Sequence, residues 1–555
     1  MSTGTTKIPV LSDGDRQRAA DYLRSGLWHD KPLTAYLDEF AQADPDRVFV
    51  TDGVRSLTYA QLRSEAYRLA ASFRGLGVNT GDRVVVQLPN WAEFVTTYLA
   101  LIRIGAVLVP IMPIYRHNEV QYLINHSEAI AVVTAGNFRN FDYQQMYRDL
   151  RGNCPSLKDI IVARGEAFPG STIAFEDLVH PDRTELWEGE EAPADAPHAI
   201  VYTSGTEARP KGCCHTWHTI GFNVRGLSRD VLRVTAADVM FMPSPITHST
   251  GLVLGVGVPL AAGAALHLMD AWEPNEGVRR MVQYGATMTA TATPFVRMAL
   301  DTYDKEEHDL SAMRVWLCAG APIPPALVEE VSERLPGCRL LPVWGCSEVM
   351  AGTACSLDDP LSASINSDGR AALSGVELKI VTVEGREAAI GEEGEICYRG
   401  PGRMLGYWGA PERTAAAIDA DGWYHTSDLA RMAEGGYIRI TGRIKDIIIR
   451  GGTNISAREI EDHVITHPKV AVAAAIGVPD EKLGERMCLF VVPAGDEAPT
   501  LAELSDYLKN EKQIATHKLP ERLAVVDALP MTATGKIQKF ELRRLALEAI
   551  RSTTP

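Results

Sequence analysis

The stretch Tyr202-Thr203-Ser204-Gly205-Thr206-Glu207-Ala208-Arg209-Pro210-Lys211-Gly212 packs hydroxyls, glycines and one lysine into a segment too polar for a core. It reads as a phosphate-gripping loop, with ATP the first guess. Glycine lets backbone N–H groups approach an anion closely, hydroxyls add hydrogen bonds, and Lys211 adds compact positive charge. A Walker A loop is excluded, because Gly205 is followed by five non-glycine residues before Lys211 and Gly212. The dinucleotide fingerprint is excluded as well. Gly75-Leu76-Gly77 reaches its third glycine, Gly81, one residue late and before a strand instead of a helix. The bland alternative, the lesser of the two, is a Ser/Thr/Gly surface loop.

Further motifs decide between the two readings. Pro245-Ile246-Thr247-His248-Ser249-Thr250-Gly251, Gly320-Ala321-Pro322, Trp344-Gly345-Cys346-Ser347-Glu348 and Tyr424-His425-Thr426-Ser427-Asp428 follow the loop in that order. After them come Gly442-Arg443-Ile444-Lys445-Asp446, Gly451-Gly452-Thr453-Asn454 and Pro530-Met531-Thr532-Ala533-Thr534-Gly535-Lys536. Together they resemble the adenylate-forming superfamily of acyl-CoA synthetases, peptide-synthetase adenylation domains and beetle luciferases. The resemblance runs from the helix near Leu62 to Lys536. Two departures stand out: Glu207 and Ala208 replace the family's Thr-Gly, placing an extra carboxylate near polyphosphate, and Ser427 replaces glycine before Asp428.

A carboxylate is a poor electrophile at neutral pH, so it must be activated before a nucleophile can attack it. Attack of the carboxylate on the α-phosphate of ATP gives an acyl-adenylate and pyrophosphate, through a transition state crowded with negative charge. The resemblance implies which residues serve that step. Thr203, Ser204, Gly205, Thr206 and Lys211 would hold phosphate, with Gly320, Ala321, Pro322, Trp344, Gly345 and Ser347 around the nucleotide. Trp344 would stack on adenine, with a plain core role the lesser alternative for a lone tryptophan. Glu348 would bind Mg2+, which takes one or two carboxylates plus phosphates and water. Asp428 would accept from the ribose hydroxyls, with Arg443 donating nearby. Lys536, which unaided reads as a solvated hairpin tip, would reach the carboxylate and α-phosphate. Lys445 would be the hinge about which the C-terminal domain turns for the thiol step, and Gly452 would then face the pantetheine arm of coenzyme A. His248 would gate acyl or thiol access instead of moving protons. No aspartate lies in Pro245 to Gly251, where amino-acid-activating relatives place one, so the acid is not expected to be an amino acid.

The totals set the frame. At 555 residues, 46% hydrophobic and 23% charged, the chain should fold into more than one core. Its net charge of −16 argues against nucleic-acid or anionic-membrane partners. From Lys445 onward 15 Lys and Arg meet 16 Asp and Glu, and Lys536, Lys539, Arg543 and Arg544 make the end locally basic, as suits a piece that approaches phosphate. Nine cysteines without metal or redox spacing predict reduced thiols and a cytoplasmic setting. The first residues lack a signal pattern. Glycine and proline breaks make Gly251 to Met269 a buried, turn-containing segment and not a membrane span.

Thr58 with Gln61 forms a capping box for a helix through Phe73, followed by a strand over Arg83 to Leu88, a helix over Trp91 to Ile104 and a strand over Val107 to Ile111. That alternation predicts an α/β fold: a large N-terminal domain of βαβ subdomains, residues 1–444, and a small mobile α+β lid, residues 445–555. In the lid, strands are expected near 446–449, 470–476 and 487–492, with helices after Ser456 and over Leu501 to Lys512. The reading is an ATP-, Mg2+- and CoA-dependent acyl-CoA ligase for a medium-chain, alicyclic or terpenoid acid, with a homodimer left open. Loading of a separate carrier protein and a non-catalytic nucleotide-binding homologue are the alternatives. Only 19 residues follow Lys536, too few for an attached carrier domain.

Overall fold

Helix Tyr59–Gly75 shows how local sequence becomes structure: the Thr58 hydroxyl accepts from Gln61 N–H, and the Gln61 side chain returns to Thr58 N–H. The expected capping box is present. Leu62, Ala66, Leu69, Ala70 and Phe73 lie on its buried face. Strand Arg83–Gln87, helix Ala92–Ile104 and strand Val107–Pro110 follow, the two strands paired in parallel, which is one βαβ unit. The computed structural model describes residues 7–553 apart from 188, 204–208, 452, 481 and 533–535.

Two compact units divide the chain. One gathers the chain through Thr203, Arg209–Glu377 and Tyr398–Tyr424. It holds two sheets of eight strands. In the first, Pro197–Tyr202, Val107–Pro110, Arg83–Gln87, Ala131–Ala135, Asp159–Ala163 and Ile173–Ala174 run parallel in that spatial order, and Gly212–Thr216 and Gly406–Tyr407 close one edge antiparallel. In the second, Arg339–Trp344, Val315–Ala319, Met288–Thr291, Val239–Met242, Ala265–Leu268 and Val48–Thr51 form the parallel run, bounded by antiparallel Thr353–Ala354 and Ser56–Thr58. Central strands such as Val84 to Val86 are wholly buried, as expected of a parallel sheet with both faces covered. Gly251–Gly257 is a wide helical turn that leads into helix Val258–Ala262 and strand Ala265–Leu268. This is the buried, broken segment the glycines predicted, and among the described residues no helix is long and apolar enough to cross a membrane.

The second unit takes Leu378–Cys397 and the chain from His425. By compactness the division therefore does not fall at 444. Strands Glu377–Val381, Glu393–Arg399, Tyr424–Met432 and Ile438–Arg443 hydrogen-bond into one sheet, and Ser456 Oγ, at the start of helix Ala457–Val464, donates to Thr441 O. That continuity ties residues before 444 to those after it. Beyond 444 lies the expected α+β unit: Thr453–Ser456, Ile447–Arg450, Gly484–Pro493 and Val470–Asp480 in order, with Arg522–Val525 parallel beside Gly484–Pro493. The 470 strand runs on to Asp480, and the 487 strand extends at both ends to Gly484–Pro493, where the added residues are exposed or half-exposed.

Two buried histidines, His215 and His267, and the half-buried His198 make the large unit acid-labile. Burial lowers His198 to about 3, His215 to about 4 and His267 to about 4, with His215, and for His267 Arg280, adding repulsion in the first and last cases. Unfolded histidine titrates near 6.5, so below that pH the unfolded chain binds protons that the folded chain refuses. Stability is full above about pH 6.5 and falls as pH drops toward 4. His267, fully buried and stacked 3.7 Å from Tyr284, has both ring nitrogens without a hydrogen-bond partner. Replacing it by leucine is expected to recover on the order of 2 kcal/mol of the stability otherwise lost between pH 7 and pH 5, read from urea midpoints at both pH values.

Candidate active site

The described ends of the phosphate-type stretch belong to two antiparallel strands, not to a strand and a helix. Pro197–Tyr202 and Gly212–Thr216 are antiparallel partners, with Tyr202 opposite Gly212 and Thr203 N–H donating to Lys211 O at 2.9 Å. Helix His117–Ser127 braces it: Tyr202 Oη lies 2.8 Å from His126 Nδ1, and Tyr122 Oη donates to Pro210 O at 3.1 Å. Ser204, Gly205 and Thr206 of the expected phosphate set, with Glu207 and Ala208, lie outside the described residues. Thr203 and Lys211 lie at the hairpin's base.

Strand Arg339–Trp344 delivers the acidic loop. A Cβ on Gly345 would stand 2.0 Å from Met350 O, so only glycine permits this turn. The Trp344 ring packs on Gly352, and Trp344, Ser347 and Glu348 are each 8% exposed. Glu348 accepts a 2.9 Å hydrogen bond from the Tyr407 hydroxyl, and the Lys211 ammonium stands 5.4 Å from the Tyr407 ring centroid. Burial and the Glu348 charge hold the Tyr407 hydroxyl above its ordinary range, so it remains a donor. Tyr407 thus links the lysine of one motif to the carboxylate of another. His215 makes a second link: its Nε2 lies 2.8 Å from Ser347 O, which only accepts, so Nε2 carries the proton, while Nδ1 lies 3.0 Å from Thr219 Oγ1. Gly320, Ala321 and Pro322 leave the end of Val315–Ala319, the neighbouring parallel strand to Arg339–Trp344, and Gly320 has φ +83°.

His248 lies half-buried at a turn where Ser249 Oγ and Thr250 N are both 3.4 Å from its Nδ1. The wide turn Gly251–Gly257 that follows is lined by buried Leu252, Val253, Leu254 and Val256. Such turns recur at functional sites.

The small unit carries the remaining residues. Asp428 and Arg443 face one another across paired strands, with Arg443 Nε 2.7 Å from Asp428 Oδ1. Thr426 Oγ1 donates to Ile396 O and accepts from Asp428 N–H. Glu395, Cys397 and His425 bring their polar atoms within 4.8 Å of one another. A metal cage does not suit them, because His425 Nδ1 spends its proton on Glu395 Oε2 at 2.9 Å and Glu395 Oε1 accepts from Ser427 N–H at 2.8 Å. Lys445 sits in the single turn Ile444–Asp446, its carbonyl accepting from Arg543. Lys536 is half-buried at the base of a hairpin, its N–H donating to Thr532 Oγ1 and its carbonyl accepting from Thr532 N–H. Gly452 lies outside the described residues. Within the large unit the structure therefore groups Thr203, Lys211, Ser347 and Glu348 through Tyr407 and His215, two residues that sequence reasoning passed over. Both stand in apolar strands, where a tyrosine or histidine reads as core.

Parallel βαβ sheets with a hydroxyl-rich lysine hairpin and a buried acidic loop at their strand ends define a nucleotide-dependent α/β enzyme. The chain belongs to the AMP-binding enzyme family, which it matches over residues 37–408, with the AMP-binding enzyme C-terminal domain matched over residues 459–536. It is an adenylate-forming ligase. It is 39% identical over 541 residues to the medium-chain fatty-acid–CoA ligase of Escherichia coli (strain K12), covering 97% of this chain and 94% of that protein. Identity to the 2,3-dihydroxybenzoate-AMP ligase of Bacillus subtilis (strain 168) is 33%, over 96% of this chain and 97% of that one. Among solved structures it is similar to an anthranilate CoA ligase in complex with anthranoyl-AMP, with TM-score 0.83, 25% identity and coverage of 95% and 98%. ATP-bound MatB from Rhodopseudomonas palustris gives TM-score 0.83 at 27% identity, with coverage of 94% and 100%.

Proposed function

We propose that this chain is an AMP-forming acyl-CoA ligase acting on a carboxylic acid that is not an amino acid, of the medium-chain, alicyclic or terpenoid kind. The observation that carries the reading is 39% identity to a medium-chain fatty-acid–CoA ligase over 97% of the chain. The wholly apolar wide turn after His248, with no acidic residue in Pro245 to Gly251 to hold an amino group, supports it.

In the first step the carboxylate oxygen attacks the α-phosphorus of ATP, and the bond to the bridging oxygen breaks to release pyrophosphate. Lys211 and the hairpin N–H groups bind phosphate, and Lys536 neutralises charge where carboxylate and α-phosphate meet. Asp428 takes the ribose hydroxyls, with Arg443 holding its carboxylate. A buried carboxylate with one oxygen fixed by a tyrosine hydroxyl is a hard oxygen donor suited to Mg2+, and Glu348 would hold that ion. When bound, Mg2+ supplies positive charge to the polyphosphate. In the second step the CoA sulfur attacks the acyl carbon, AMP leaves, and the thiol proton passes to solvent. Turning about Lys445 withdraws Lys536 and brings Gly452 toward the pantetheine arm, so the two domains, divided functionally at 444 and 445, serve the steps in turn. A cytoplasmic location and a homodimer belong to the same proposal.

Relatives named AMP ligases give a second reading, in which a separate carrier protein accepts the acyl group. A panel of aliphatic, alicyclic, aryl and polycyclic acids tests both. AMP release that requires CoA is the expected result; release only with a phosphopantetheinylated carrier would overturn it, and no acid-dependent pyrophosphate release would leave only nucleotide binding.

A further inference from the structure

Ser427 occupies the left-handed region at φ +61°, where a side chain is strained and glycine is not. It immediately precedes Asp428. A strand residue that precedes a functional carboxylate while sitting in an unfavourable conformation needs an outside restraint. Glu395, on the neighbouring strand Glu393–Arg399, provides two. Its Oε1 accepts from the Ser427 backbone N–H at 2.8 Å, and its Oε2 accepts from His425 Nδ1 at 2.9 Å. One carboxylate thereby grips the residue on each side of Thr426. Thr426 is pinned in turn to Ile396 O at 2.7 Å, and its hydroxyl receives Asp428 N–H at 3.0 Å. Every residue from 425 to 428 is thus held by Glu395, by its neighbour Ile396 or, at Asp428, by Thr426 and Arg443.

We propose that Glu395 is a positioning residue for nucleotide recognition: by clamping His425 and the strained Ser427 it fixes the direction in which Asp428 presents its carboxylate to the ribose hydroxyls. This rests on the ribose reading of Asp428. Glu395 itself touches no substrate. Charge-assisted hydrogen bonds of this kind are the strong ones, and both would be lost together in Glu395→Ala.

Nucleotide binding without turnover tests it. Dissociation constants for ATP and for 2′,3′-dideoxy-ATP are measured by calorimetry in the absence of acid and CoA, beside thermal melts. Glu395→Ala is expected to weaken ATP binding about tenfold while leaving 2′,3′-dideoxy-ATP within about twofold. Glu395→Gln, which keeps an acceptor for Ser427 N–H, should recover part of the loss, as should Ser427→Gly in the Glu395→Ala background, since glycine holds the left-handed conformation without strain. Equal weakening of both nucleotides, or of neither, overturns the clamp. Asp428→Ala separates the two readings: if it closes the gap between ATP and its dideoxy analogue while Glu395→Ala does not, the clamp alone fails. If Asp428→Ala leaves the gap open, the ribose reading fails and the clamp with it.

Discussion

Lys536→Ala is expected to lower acid-dependent ATP–pyrophosphate exchange by about 10² or more, the scale of losing one preorganised donor to a developing charge, while thioester formation from a pre-formed acyl-adenylate stays close to wild type. Lys536 is tied into its hairpin through backbone groups, N–H to Thr532 Oγ1 and carbonyl to Thr532 N–H, and the Met531–Ile537 bridge closes the base. The hairpin is anchored further along, where Lys539 pairs with Glu461 at 2.7 Å and Leu542 and Ala546 pack on Ala474 and Ile476. Glu461 is raised by burial despite Lys539, so breaking that pair by Lys539→Ala should cost stability, about 3 kcal/mol or more. The two lysines, three residues apart, should therefore separate: Lys536→Ala loses adenylation, and Lys539→Ala loses stability of the small unit. Exchange that survives undiminished in Lys536→Ala would end the proposed mechanism.

What the sequence made legible follows from where its signals are local. The capping box at Thr58 and Gln61, the apolar runs of the parallel strands and the glycine breaks after Gly251 each act within a few residues, and the structure places them as read. Strands Glu377–Val381 and Ile438–Arg443 went unread because each buries a single residue, Ile380 and Ile438. Without a dry face there is no period to detect. The site divides in the same way. Lys211, Glu348, Asp428 and Lys536 stand in stretches whose composition announces them. Tyr407, His215 and Glu395 do not, since each sits in an ordinary strand and acts through a partner far away in sequence: Tyr407 on Glu348, His215 on Ser347, Glu395 on Ser427. Ser427 was the one local clue to the last of these. A non-glycine residue at a left-handed position implies a restraint, but sequence cannot say which residue provides it.

Glu348→Gln should abolish most adenylation at limiting Mg2+, by about 10² or more, because the amide keeps the shape and the acceptor for the Tyr407 hydroxyl but removes the only charge this loop offers a hard cation. Tyr407→Phe is the complementary change. It keeps the ring beneath the Lys211 ammonium and deletes only the hydroxyl that orients the carboxylate. Hydrogen bonds to a metal-binding carboxylate typically carry about 10- to 100-fold in affinity or activity, so Tyr407→Phe should raise the Mg2+ concentration for half-maximal exchange about tenfold. Saturating Mg2+ should then restore most of its rate. The order of effects follows from the chemistry: the charge binds, the hydroxyl aims. A Mg2+ titration of exchange in the three proteins reads both at once. If the Tyr407→Phe curve overlays wild type, the hydroxyl plays no part in metal binding and its bond to Glu348 only fills a buried space. If Glu348→Gln keeps full activity at low Mg2+, the cation is held elsewhere and the acidic loop loses its assigned task.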